Sequence, residues 1–204
     1  SDYLAFKITP GFDTLRNCEL EKVDKKKWPK DSLGILFLKN DSLVKFPKIK
    51  SISLSDESDW AVFMFDHNEI KEKEKKRIWC KKKRKAMEYK SDGKVIWVFH
   101  PEEEKVELKD VKSYKLSEKA SFLAYTTHKK VDCDSMEMNV MNLKNHATVT
   151  MPHTYTSIDK FTFNEQENKL VMLASEDSTK VKNYSLLMMD PENAMVTLLA
   201  DTTS

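Results

Sequence analysis

Three segments of the chain repeat a ten-residue pattern without a gap, and that repetition limits the fold more than any single motif does. They are Leu54-Ser55-Asp56-Glu57-Ser58-Asp59-Trp60-Ala61-Val62-Phe63, Leu116-Ser117-Glu118-Lys119-Ala120-Ser121-Phe122-Leu123-Ala124-Tyr125 and Phe163-Asn164-Glu165-Gln166-Glu167-Asn168-Lys169-Leu170-Val171-Met172. Each opens on an apolar residue followed by Ser or Asn and an acid, crosses a short polar stretch, and closes on an apolar run. Before each turn, apolar residues alternate: Ile49, Ile52 and Leu54, then Val111, Tyr114 and Leu116, then Ile158, Phe161 and Phe163. A period near two is that of a half-buried strand. The small polar residues suit a tight turn because their side chains bond nearby backbone amides. The closing run is continuous, as in an inner strand covered on both faces. Each segment therefore reads as strand, turn, strand.

A third strand follows each hairpin, at Val95–Phe99, Met138–Leu143 and Tyr184–Met189, and then a fourth, at Lys105–Leu108, Ala147–Met151 and Ala194–Leu199. Four antiparallel strands per repeat is the blade of a β-propeller. The turns stand 62 residues apart from Leu54 to Leu116 and 47 from Leu116 to Phe163, the second a common blade length. At the N-terminus, Leu4-Ala5-Phe6 matches the end of a second strand. Thr14–Leu20 would then be a third strand and Ile35–Leu38 a fourth. The expected fold is all-β, a partial β-propeller of about four blades, each a four-stranded antiparallel sheet. The blades run over 1–48 (truncated), 49–110, 111–157 and 158–204. A chain that opens inside a hairpin leaves a strand edge unpaired, so the sequence reads as a fragment.

Composition excludes several chemistries. Only Gly11, Gly34 and Gly93 occur, so neither a dinucleotide fingerprint, a phosphate-binding loop nor a Gly-x-Ser-x-Gly nucleophile elbow can be built. No catalytic residue is expected. Lys plus Arg number 35 against 33 acids, a formal charge of +2, which argues against a nucleic-acid partner. No apolar run is long enough for a membrane span. Cys18, Cys80 and Cys133 are too few and too scattered for a disulfide framework or a zinc site. His67, His100, His128, His146 and His153 never stand at metal-ligand spacing, so neither metal nor cofactor is expected. The thiol of Asp132-Cys133-Asp134 is discouraged as a nucleophile by its flanking carboxylates. Met136, Met138, Met141, Met188, Met189 and Met195 fall in or beside strands and read as core filler.

The longer first spacing comes from an extreme segment, Lys71 to Lys85. Its Lys81–Lys85 run has the composition of an import signal or nucleic-acid patch. Glu72 and Glu74 dilute the charge, and a solvated loop between the second and third strands of a blade explains it better. Trp79 is not explained by a loop, and with Lys81, Lys82, Lys83 and Arg84 it is the candidate partner contact.

The phrases Leu54-Ser55-Asp56 through Phe63, Tyr114-Lys115-Leu116-Ser117-Glu118-Lys119 through Ala124-Tyr125, and Leu173-Ala174-Ser175-Glu176-Asp177 through Leu186 resemble the N-terminal propeller of prolyl oligopeptidase-like serine peptidases, of the large kind found in Bacteroidetes-type bacteria. Tyr3-Leu4-Ala5-Phe6 with Asp13-Thr14-Leu15 resembles it too. The resemblance implies a periplasmic or secreted protein whose propeller caps an α/β-hydrolase domain of the same polypeptide. That domain would carry Ser, Asp and His, and act on peptide substrates. Residues Glu102-Glu103-Glu104 follow Pro101 at a strand turn and do not match the family's acidic amino-terminus clamp. The resemblance thus implies a non-catalytic module that gates or scaffolds a serine peptidase. The alternative is a stand-alone interaction propeller whose basic loop docks an acidic partner. A lectin-like propeller would need aromatics at equivalent loop positions, and Trp28, Trp79 and Trp97 do not read as equivalent. Exposed blade edges would also allow a homodimer.

Overall fold

The computed structural model describes residues 2–65, 94–128 and 135–201, together with the backbone of 77–79 and 86–88. Strands β1 (Tyr3–Ile8), β2 (Ser32–Phe37) and β3 (Ser42–Pro47) form an antiparallel sheet in that order. They are followed by β4 (Ile49–Leu54), β5 (Ala61–Phe65), the short pair β6 (Arg77–Trp79) and β7 (Ala86–Glu88), and β8 (Lys94–Phe99). Next come β9 (Val106–Leu116), β10 (Phe122–His128), β11 (Met136–Asn142) and β12 (Thr148–Thr150). The last sheet is β13 (Ser157–Phe163), β14 (Leu170–Ser175), β15 (Ser185–Met189) and β16 (Val196–Ala200), in sequence order.

The expected fourth strand at 105–108 and the first strand starting at 111 are one element, β9. The hydrogen-bonded order accordingly runs β4-β5-β8-β9-β10-β11-β12. Within β9, Asp110 takes the left-handed conformation (φ 61°). Lys48 (φ 65°) does the same between β3 and β4. The residue after each, Ile49 or Val111, is buried. One residue beyond that the register slips, at Lys50 against β5 and at Lys112 against β10. A single left-handed residue followed by a bulge thus turns the chain out of an outer strand and into the next inner one.

The three repeated turns have the same length, and the second and third share their geometry. Residues paired across them are seven apart in each: Leu54 with Ala61, Leu116 with Leu123, Phe163 with Leu170. Ser117 Oγ accepts the Phe122 N–H at 3.0 Å, and Asn164 Oδ1 accepts the Lys169 N–H at 2.9 Å, both five residues on. Ser55 Oγ accepts from the nearer Glu57 N–H at 3.3 Å. Turn chemistry therefore accounts for the recurring Ser or Asn. Ala120 (φ 55°) and Glu167 (φ 57°) occupy the same left-handed turn position.

The strand expected over Thr14–Leu20 is instead helix α1 (Phe12–Leu20). Pro10-Gly11 breaks the extended chain, the Leu15 N–H bonds the Gly11 carbonyl at 3.2 Å, and Asp13 sits favourably in the first turn. The helix buries no residue, so it has no apolar stripe to announce it. The third strand of this repeat is therefore β2, placed fourth by the sequence reading, and β3 is the fourth. In β2, a Cβ on Gly34 would lie 2.7 Å from Phe6 Cζ, so glycine there makes room for the ring of its cross-strand partner.

Two compact units result: Ser1–Leu54 with Asp59–Asp66 and Val95–Glu107, and Ser55–Ser58 with His67–Lys94 and Leu108–Ser204. In the first, Tyr3, Leu33, Ile35, Ile49, Phe63 and Phe65 form the buried core, with Phe37, Phe46, Trp97 and Phe99 packed against it. Ring pairs such as Phe46–Trp97 (4.8 Å, edge-on) set its geometry. In the second, Phe122, Met138, Val140, Met151, Met172, Leu187 and Met189 interdigitate between two sheets. Of the methionines read as core filler, Met138, Met141 and Met189 are buried. Met195 is 67% exposed, because it leaves the turn closed by Asn193 Oδ1 accepting its N–H.

One buried carboxylate links neighbouring turns of the second unit. Glu167, 3% exposed, accepts the backbone N–H groups of Lys119 and, at 3.2 Å, Ser121. Burial, the largest single influence, pushes its carboxyl up. The hydrogen bonds from Ser121, Lys119 and Ser117 together outweigh burial and hold it below the ordinary value of 4.5. Glu167→Ala leaves these N–H groups without their charged acceptor and is expected to cost about 2 kcal/mol in a urea melt. A folded value below the unfolded one means the contribution is complete above pH ~4.5 and fades as pH falls through the folded value. The gap between wild type and Glu167→Ala should therefore narrow in acid. Gly34→Ala is expected to lower stability by about 1–2 kcal/mol through overpacking against Phe6, read as a lower urea midpoint at unchanged slope.

Candidate functional site

In each sheet the turns joining first to second and third to fourth strands are tight. Elaboration collects at the opposite end, in the connection from second to third strand. These connections cover residues 9–31, 66–93, 129–135 and 176–184. Loops of this kind, free of the ladder's constraints, are where repeat folds place binding residues.

In the first connection, α1 is followed by a 3-10 turn at Lys25–Lys27, whose entry Asp24 caps by accepting the Lys26 N–H at 2.9 Å. The Trp28 indole N–H then donates to the Val23 carbonyl at 2.9 Å. Because residues 12–20 are a helix and not the expected strand, Trp28 falls in a second-to-third-strand connection, as Trp79 does, but not at an equivalent position: it follows the 3-10 turn, whereas Trp79 lies in strand β6. Trp97 is different: it lies within β8, under Lys105 Nζ at 3.7 Å from the ring centroid, and donates to Glu107 Oε2 at 3.2 Å.

The second connection contains β6 and β7, so the segment expected as a solvated loop includes a two-stranded ribbon. Arg77 pairs with Glu88, Ile78 with Met87 and Trp79 with Ala86. The backbone of Trp79 is thereby placed in a strand. Lys81, Lys82, Lys83 and Arg84 lie outside the described residues, as do Cys80, Asp132, Cys133, Asp134 and His67.

The fourth connection is closed by its own polar groups. Asp177 Oδ2 accepts the Asn183 N–H at 2.8 Å, and the Thr156 hydroxyl reaches the carbonyls of Ser175 (2.8 Å) and Asp177 (2.7 Å). Nearby, His153 Nε2 meets Glu176 Oε1 at 2.9 Å, and the His153 ring lies edge-on to Tyr155 at 4.9 Å. Burial first, and the Glu176 charge second, raise the Tyr155 phenol. The His153–Glu176 pair is exposed on both sides, and among the described residues no third group completes a relay. His100 packs on Trp60 at 4.8 Å and its Nδ1 accepts the Glu102 N–H. Among the described residues no three His, Cys, Asp or Glu side chains converge on a metal-sized point. In the first unit, Tyr3 donates its hydroxyl to the Asp59 carbonyl at 3.1 Å, and burial, with Asp59, pushes its phenol up to about 12. No sequence signal marked this contact. Nor did any mark the Glu167 tie, since an acid at the turn position that Ala120 fills in the preceding repeat does not name its partners.

No protein-family model matches the chain and no curated protein matches it by sequence. Solved structures do. The β-propeller domain of the trilobed protease from Pyrococcus furiosus, described as having an open velcro topology, superposes with a TM-score of 0.53 at 12% identity. The match covers 98% of this chain and 55% of that one. Uncomplexed Pyrococcus horikoshii acylaminoacyl peptidase superposes with a TM-score of 0.52 at 11% identity, over 98% of this chain and 31% of that one. The chain thus spans about half the length of the first and about a third of the second. At such identities the likeness is one of fold: the chain is a partial β-propeller whose structural neighbours are propeller domains of prolyl oligopeptidase-like peptidases.

Proposed function

We propose that the chain is the non-catalytic propeller module of a serine peptidase of the prolyl oligopeptidase type, gating or scaffolding an α/β-hydrolase domain that supplies the Ser, Asp and His. The observation that carries this reading is the fold likeness to a protease propeller along 98% of the chain. Sheets packed face to face around a channel restrict what reaches a catalytic centre beyond them. Selectivity then comes from exclusion, and the substrates are peptides narrow enough to enter. A periplasmic or secreted location goes with this reading.

The test is labelling of the native source with a fluorophosphonate probe, followed by mass spectrometry of each labelled species. Peptides from this sequence are expected in a labelled species, with the adduct on a serine outside residues 1–204. An adduct on a residue of this sequence overturns the proposal. So does recovery of the chain only in unlabelled species, which would favour the stand-alone interaction propeller.

A further inference from the structure

Residues 18–30, in the connection between β1 and β2, enclose a surface hollow of about 510 Å³. Lys22, Lys25 and Lys30 contribute positive charge, Glu19 a negative one, and Val23, Trp28 and Pro29 the apolar part. Between Lys22 and Lys30 the sequence carries five lysines and one aspartate. That aspartate is committed to capping the 3-10 turn. None of Lys22, Lys25 and Lys30 makes an ion pair among the described residues. These three ammonium groups outnumber the one carboxylate of the lining, Glu19, and leave the hollow with a net positive charge.

The loop is fixed before anything binds. Its Val23 N–H bonds the Cys18 carbonyl at 2.9 Å, Lys27 N–H the Asp24 carbonyl at 2.8 Å, and the indole of Trp28 the Val23 carbonyl at 2.9 Å. A site already ordered by its own bonds has little conformational entropy left to lose on association. Helix α1 buries nothing and leaves Phe12 73% and Leu20 69% exposed. The element costs the fold surface and returns no core.

We propose that this hollow docks an acidic segment of a partner protein, its carboxylates on Lys22, Lys25 and Lys30 and one apolar side chain against Trp28, Val23 and Pro29. The near-neutral formal charge of +2 favours a polypeptide over a nucleic acid. The proposal does not depend on the peptidase reading.

Fluorescence anisotropy of the whole chain with a fluorescein-labelled, glutamate-rich peptide carrying one leucine tests it. Saturable binding that weakens with added salt is expected. Combined Lys22→Glu, Lys25→Glu and Lys30→Glu should weaken it about tenfold or more, taking exposed ion pairs at their usual strength. Lys45→Glu with Lys115→Glu and Lys160→Glu changes the net charge equally on exposed strand residues and should leave binding within about twofold. A peptide with leucine replaced by serine should bind more weakly. If the reversal variant loses its far-UV signal, the matching Lys→Gln triple carries the same expectation. Absence of saturable binding, equal loss in both triples, no dependence on the leucine, or tighter binding of a single-stranded oligonucleotide of equal charge each overturns the proposal.

Discussion

Burial of one sheet face against another is the interaction on which everything else in this chain depends. A small antiparallel sheet cannot remove its apolar side chains from water alone. In each unit two sheets share one core, aromatic in the first and rich in methionine in the second. The inner strands show how complete this is: every residue of Ala61–Phe65 is buried, as is every residue of β10 from Phe122 to Thr126. A strand covered on both faces admits a polar side chain only with a partner, as Thr126 has in Ser113, which pushes any binding chemistry out to the connections.

The tight turns and strand bends are shaped with almost no glycine. Among the described residues, eight non-glycine residues adopt positive φ, including Lys48, Asp110, Ala120 and Glu167, and no glycine does. Each such residue costs about 1–2 kcal/mol relative to right-handed backbone, so hydrogen bonds must fix the turn. The Ser117 and Asn164 side chains do so within a hairpin, and Glu167 does so between hairpins. At Glu167 one residue both occupies the strained position and supplies the acceptor for its neighbours.

How much of this was legible in sequence follows from where apolar periodicity exists. The three hairpins and the strands after them were readable because burial forces alternation or continuous apolar runs on them. Helix α1 was not, since a helix that buries nothing carries no pattern, and missing it shifted β2 and β3 by one place in their sheet. The joining of two expected strands into β9 was hidden because Asp110 looks like a loop residue and acts as a bend within a strand. The tie from Glu167 to Lys119 and Ser121 spans more than forty residues, a distance at which local turn chemistry is silent. The candidate contact residues Trp79 and Lys81–Arg84 were picked by composition, and the structure adds only that the Trp79 backbone is paired. The hollow around Trp28 needed the helix to be recognised first.

The contrast between the two cores has a spectroscopic corollary. Trp28, Trp60 and Trp97 all belong to the first unit, whereas the thioethers of Met138, Met151, Met172 and Met189 are packed in the second. Three of the four tryptophans therefore report the first unit, Trp79 falling in the second, and nine of the ten methionine methyls report the second, Met64 falling in the first. Each half carries its own intrinsic probe, and their cooperativity can be followed without attaching a dye.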